Sequence, residues 1–277
     1  PRRDRATKLL TYIGDVIGYR TLHAVTERTR SARAEVANTI AYRRRKGTAT
    51  VLEQLARDVT GWNARVVEFF QSLETSQYMN HVRPTNLTTV DLRNWEALER
   101  RDTAFNRISH SVDMRRIETQ QGRYNIPNIG LFLWRLDAYA VRRSPAFRVD
   151  DERFLFSALG SNQQLFTRPQ SEPDITHLAE PLNVPEPISR RVLDKYLGQY
   201  YGLQSSLFLE ADNLDTSIGK VQVCNLSDDG ATWAHLPVSK ISIDPVLGRI
   251  AVPPGTPPVN LRVTYHYGFS MSTGGGS

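Results

Sequence analysis

Cysteine is nearly missing from this chain of 277 residues: Cys224 stands alone. A single thiol excludes an intrachain disulfide and any zinc site built from several thiolates, and it suits a protein made in a reducing compartment. Within Val221-Gln222-Val223-Cys224 it reads as a small core or strand residue. Long apolar runs are missing too. No window approaches the roughly 18 consecutive apolar residues of a membrane-spanning helix. A secretory signal does not fit either, because the start Pro1-Arg2-Arg3-Asp4-Arg5 is charged and Leu9–Ile17 is interrupted by Thr, Tyr, Gly and Asp. The first residue is not Met, so the chain is expected to be a piece of something longer. Thr273-Gly274-Gly275-Gly276-Ser277 reads as a linker or Gly-rich junction.

The usual catalytic signatures are lacking as well. There is no Walker A loop, no G-x-G-x-x-G, no H-E-x-x-H and no G-x-S-x-G elbow. The histidines, at 23, 81, 110, 177, 235 and 266, are scattered, and none pairs with another at ligand spacing. His266, between Tyr265 and Tyr267, reads as a surface or packing residue. Asp150-Asp151-Glu152 lies between two strand candidates and reads as a solvated turn. The expectation is a non-enzymatic chain with no catalytic residues, cofactor or metal.

What is present is an ordinary globular composition, 40% hydrophobic and 23% charged, which is enough for two or three domains. The net charge of +6 is unevenly placed. Residues 1–60 carry thirteen Lys and Arg against six acids, whereas 207–277 carry four against six. The basic character therefore belongs to the first segment.

Residues from about 5 to 80 read as helical. Leu10, Ile13, Ile17 and Ala24 recur at helical spacing, with Leu9 and Val16 widening the stripe. Ser31 to Arg45 carries Val36 and Ile40 on one face. After Gly47-Thr48 a further helix begins, with Thr50 and Glu53 at capping-box spacing or Thr48 as the cap. Gly61 is expected to close it, and Asn63 to cap one more helix with Val66, Val67, Phe70 and Leu73 inward. Ile129–Val141 fits both periods, and its aromatic density favours strand. Arg153-Phe154-Leu155-Phe156 is a second strand candidate. Five prolines between Arg168 and Pro187 predict an extended connector, after which Pro187 opens a helix carrying Ile188, Val192, Tyr196 and Tyr200. From about 206 the period becomes two, with a hairpin turn at Asp228-Asp229-Gly230 and another turn at Asp244-Pro245-Val246-Leu247-Gly248. The predicted class is α+β: a helical subdomain over 1–80, a mixed middle over 81–205 and an antiparallel, sandwich-like β-domain over 206–277.

The sharpest local feature is Tyr42-Arg43-Arg44-Arg45-Lys46-Gly47-Thr48. Its cations could grip phosphates, favour a helix C-terminal dipole, or fork onto carboxylates of a partner subunit. No further basic cluster supports nucleic acid, which is not expected as a partner. Here the chain resembles the phage tail protein I family, the gpI-like baseplate wedge proteins of contractile tails, in which basic residues lead to Gly-Thr opening the next helix. Gly would permit the reversal and Thr would cap. The resemblance to the family covers roughly residues 30–75, and the fuller run from Asn38-Thr39-Ile40-Ala41-Tyr42 through Asp58-Val59-Thr60-Gly61-Trp62 resembles its larger versions in extracellular contractile injection systems. Gly122-Arg123-Tyr124-Asn125-Ile126-Pro127-Asn128-Ile129-Gly130 and Asp244–Ile250 are similar to the larger forms in extracellular contractile injection systems. The long middle and the β-domain depart from short members.

The resemblance implies a structural baseplate component, assembled in the cytoplasm in several copies around a tail tube. It implies packing with a J-like wedge protein and other baseplate subunits. Candidate interface residues are Tyr42, Arg43, Arg44, Arg45, Lys46, Gly47, Thr48, Trp62, Phe69 and Phe70, together with Trp95 and Trp134; the aromatic ones also fit an intrachain core. The rival is a receptor- or carbohydrate-binding tail adhesin with Trp233, Tyr265 and Tyr267 as its stacking surface, which burial of Tyr265 would count against.

Overall fold

The computed structural model describes residues 2–20, 32–84, 90–119, 121–172, 176–255 and 257–271. Ala24, Ser31 and the glycines of 274–276 lie outside them, as does part of the proline-rich connector. Helices and antiparallel sheets both occur, so the fold is α+β. The chain divides into two compact units, Pro1–Trp134 with Glu172–Glu180, and Arg135–Ser171 with Pro181–Ser277. No helix among the described residues is long and apolar enough to cross a membrane.

The first unit holds α1 (Arg2–Ile17), α2 (Ala32–Arg44), α3 (Ala49–Thr60), β1 (Asn63–Glu68), the short α4 (Trp95–Glu99) and β2 (Ile129–Trp134). Helix α3 ends as expected, with Gly61 in the left-handed region and its N–H on the Arg57 carbonyl. The segment after it is not the expected helix. Asn63–Glu68 is a strand paired antiparallel with β2, in which Val66 faces Leu131 and Val67 faces Gly130. The β-branched pair Val66-Val67 prefers a pleated surface, and a strand buries Ala64 and Val66 while leaving Val67 half-buried. Gly130 has a steric reason: a Cβ there would sit 2.7 Å from the Phe69 ring. Gly122 has a stricter one, since a Cβ would fall 1.7 Å from the Arg115 carbonyl oxygen.

A carboxylate ties this unit together. Glu53 does not reach back to a capping-box partner. It is buried, its Oε2 accepting from Val66 N–H at 2.9 Å and its Oε1 from Ala179 N–H at 2.7 Å. Burial raises its pKa, against the two N–H bonds and Arg57, which lower it. Arg57 in turn pairs with Glu172, and Arg65 donates to the Ala179 carbonyl while stacking 5.2 Å over Phe105.

The second unit holds β3 (Leu136–Pro145), β4 (Phe147–Arg148), β5 (Arg153–Leu155), α5 (Arg190–Lys195), α6 (Leu197–Tyr200), β6 (Phe208–Ala211), β7 (Val221–Val223), β8 (Asp228–Asp229), β9 (Thr232–Trp233), β10 (Ile241–Asp244), β11 (Arg249–Ala251) and β12 (Leu261–Ser270). One sheet has the order β4-β5-β11-β10-β7 and another β3-β12-β6, with β8-β9 a separate hairpin. Strands from before 171 thus pair with strands from after 206, so 81–205 is not a unit of its own. The pairing is antiparallel except for β7 with β10, which run parallel because the β8-β9 hairpin intervenes in the chain. Ile129–Val141, read as one strand, is two: Arg135 separates β2 from β3.

Both larger sheets, with α5 and α6, contribute to one apolar core that includes Phe156, Leu193, Leu209, Ile243, Ile250 and Val263. Ser189, not Pro187, caps α5, its side chain accepting from Val192 N–H at 3.2 Å; Pro187 makes an isolated bridge to Phe166. The Asp244–Gly248 turn forms as predicted. Asp244 is buried and accepts from Val246 and Leu226 N–H, while Arg190 forks onto it at 2.9 Å through Nε and Nη2. His266 is buried with its Nδ1 2.8 Å from the Ser206 carbonyl, and burial holds its pKa below the ordinary 6.5.

Two outcomes follow from these buried groups. Glu53→Gln places an amide NH2 against a backbone N–H, and should lower unfolding free energy by about 1–3 kcal/mol in urea titrations. For His266 the unfolded chain takes up the proton first, so stability falls as pH drops below 6.5. His266→Asn, which keeps a donor for Ser206, should reduce that loss; the urea midpoint between pH 7 and 5.5 is the measurement.

Candidate functional site

The basic turn between α2 and α3 is the site singled out by the sequence, and its geometry follows from the chain around it. Helix α2 runs out at Arg44, Gly47 takes φ +91°, and Thr48 is extended at the N-cap position of α3. The Gly-Thr reversal therefore forms as expected at Gly47, where a left-handed backbone favours glycine. The capping detail differs. Thr48 Oγ1 donates to the Arg45 carbonyl at 2.9 Å and takes no first-turn N–H, so it closes the turn behind it rather than the helix ahead.

The four cations differ in what they touch. Arg43 donates to the Ile17 carbonyl at 2.7 Å and the Gly18 carbonyl at 2.5 Å, closing the C-terminal end of α1. Arg43 and Arg44 also stand in the last turn of α2, so the dipole reading holds there and Arg43 extends it to the end of α1. Arg45 is half-buried and one of its terminal nitrogens is buried without a hydrogen-bond partner. Arg44 and Lys46 face solvent. Tyr42 is turned to α3, where its hydroxyl donates to Asp58, which also accepts from Asn38 and Gln54 at 2.9 Å each. Burial and that carboxylate push the Tyr42 phenol far up from its ordinary value. Tyr19 donates to Glu35, and its pKa is pushed up to about 12 by burial first and that contact second. Glu35, Tyr42 and Arg43 line a cavity of about 470 Å³ between these helices.

The aromatic candidates separate clearly. Phe69 is buried, edge-on to Tyr124 at 5.3 Å and pressed against Gly130, so it is intrachain core and not an interface residue. Phe70, expected inward, is instead 48% exposed, because a 3₁₀ turn at Phe69–Ser72 places neighbouring side chains on different faces. Trp62 and Trp95 are half-buried, and Trp134 packs its ring 5.9 Å from Phe105. Among the described residues no group of His, Cys, Asp and Glu is placed to hold a metal ion.

The apolar stripe of α1, read from Leu9, Ile13 and Val16, proves to be exposed and to include Tyr12. Leu9, Tyr12, Ile13 and Val16, at i, i+3, i+4 and i+7 of α1, are 61%, 68%, 44% and 71% exposed. Their spacing was visible, but periodicity cannot say whether a stripe meets its own chain or another. Comparison with known proteins adds no assignment: no family model, no curated protein and no solved structure matches the chain.

The two neighbouring phenylalanines give a direct check. Phe69→Ala should cost about 3–5 kcal/mol of unfolding free energy, and Phe70→Ala about 0.5 kcal/mol or less, both read from denaturant midpoints.

Proposed function

We propose that the chain is a structural baseplate component of a phage-tail-like contractile injection system, acting through protein interfaces of its helical unit. The observation that carries the reading is the exposed stripe Leu9, Tyr12, Ile13 and Val16 on α1. An apolar helix face open to water is a surface for another helix or groove. The resemblance of residues 30–75 to tail protein I-like wedge proteins supplies the class of partner, a J-like wedge protein and its neighbours. The left-handed Gly47, Gly122 pressed on backbone and Gly130 pressed on Phe69 give physical reasons for glycines in the resembling segments.

In this reading Arg44 and Lys46 are the parts of the basic segment that reach a partner, and Phe70, exposed after β1, is a separate contact. Arg43 and Tyr42 act indirectly, by holding α1 and α3 to α2. The adhesin reading through Trp233, Tyr265 and Tyr267 is weakened at its own residues. Tyr265 is buried in the core edge-on to Phe156, and Trp233 is buried beneath Arg249 and Arg153, whose guanidinium carbons lie 4.7 and 5.4 Å from its ring.

The test is copurification of the native protein from its host, with negative-stain imaging and mass spectrometry. Sheath, tube and wedge proteins should appear in the same particle; a monodisperse protein without them defeats the reading. Leu9→Glu with Val16→Glu should leave the isolated chain's stability within about 0.5 kcal/mol and remove it from the particle.

A further inference from the structure

The second unit contains a cavity of about 500 Å³ that the scaffold reading does not use. Its size is that of a small-ligand pocket. Three arginines line it, Arg143, Arg148 and Arg262, and no lining residue is acidic. Pro145, Ala146 and Val259, with Phe154 and Leu261 buried in the core beneath, give it an apolar floor.

The arginines reach the cavity from three different places. Arg143 sits at a β-bulge where β3 carries one residue more than β12, with φ +50° and its N–H on Thr264 Oγ1 at 3.1 Å. Arg148 comes from β4 and Arg262 from β12. Their guanidinium groups retain donors. Arg143 uses Nε on Glu210 at 2.8 Å, and Arg148 uses Nε on the Asp150 carbonyl at 3.2 Å and Nη2 on Asp151 at 2.5 Å. Asp151 and Arg148 are both well exposed, and such a pair is readily exchanged for another anion. Arg262 has no ion pair or side-chain hydrogen bond among the described residues. Asn260, also lining the cavity, donates its amide to Asp212 at 2.8 Å. That bond fixes the side chain and leaves Oδ1 to accept from a hydroxyl.

We infer that this cavity binds an acidic sugar, a pyranose carrying a carboxylate or sulfate. The anionic group meets the guanidinium forks. A ring hydroxyl donates to Asn260 Oδ1, and the C–H face of the ring lies on the apolar floor. A cavity of this size admits one or two sugar rings and no duplex. The inference goes beyond the scaffold reading and does not depend on it.

The test is calorimetry of the full chain with a galacturonate tetrasaccharide, against its methyl ester and against sulfate ion. The acid oligomer should bind and the ester should not. Arg262→Ala and Arg148→Ala should each weaken binding roughly ten- to a hundredfold. Arg191→Ala, which removes one exposed positive charge from α5, should leave it unchanged. Circular dichroism and Tm of Arg262→Ala should match the parent, since the residue is exposed. No binding of the acid oligomer, equal binding by the ester, or equal weakening by Arg191→Ala would overturn the inference. Sulfate binding as tightly as the oligomer would overturn the sugar assignment.

Discussion

The helical unit depends on one buried charge. Glu53 belongs to α3, and its two oxygens take the N–H groups of a strand and of a segment far along the chain. An isolated carboxylate at zero exposure would be strongly disfavoured. Here two backbone donors and Arg57, 3.7 Å away, surround it. Around that point gather the Arg57–Glu172 pair and Arg65, whose guanidinium bonds the Ala179 carbonyl. Val66, whose N–H Glu53 takes, belongs to the β1-β2 pair, and Phe69 packs on Gly130 of β2, so a polar contact and the apolar core meet on the same two strands.

The second unit uses the same chemistry in another arrangement. Asp244, buried at the end of β10, gathers the turn that follows it, the Leu226 backbone and Arg190 of α5. Arg249 bridges Asn162, the Leu226 carbonyl and Asp228 while lying on Trp233. A chain rich in arginine thus places several of its guanidinium groups inside its own fold. The run of cations before Gly47 is divided too: Arg43, though exposed, closes a helix, Arg45 is half-buried, and Arg44 and Lys46 face solvent.

Much of this was legible from residue order. Period-two stretches such as Ile241/Ile243 and Leu261/Val263/Tyr265 are strands, and the Gly61 stop and Asp244–Gly248 turn stand where local chemistry puts them. The α+β class follows from those signals. What was not legible depends on long-range partners. Asn63–Glu68 has residues compatible with either period, and its pairing with Ile129–Trp134 decides for strand. Pairing of β5 with β11 moves part of the expected middle into the β-unit. At the candidate site, the Gly-Thr reversal was readable, whereas the attachment of Arg43 to Ile17 and Gly18 was not. A run of cations carries no mark of which carbonyls it will meet.

The division of the chain also bears on how it is made. Residues 172–180 fold with the first unit although the residues on both sides of them fold with the second. Glu53 and Ala179 are 126 positions apart, and Arg65 and Ala179 are 114 apart. On the ribosome, the helical unit must therefore wait with its central carboxylate half-satisfied while three strands of the other unit are synthesised. A chain emerging from N- to C-terminus cannot finish its first unit before it has begun its second. Cutting it at Trp134 would separate the carboxylate from one of its two backbone donors.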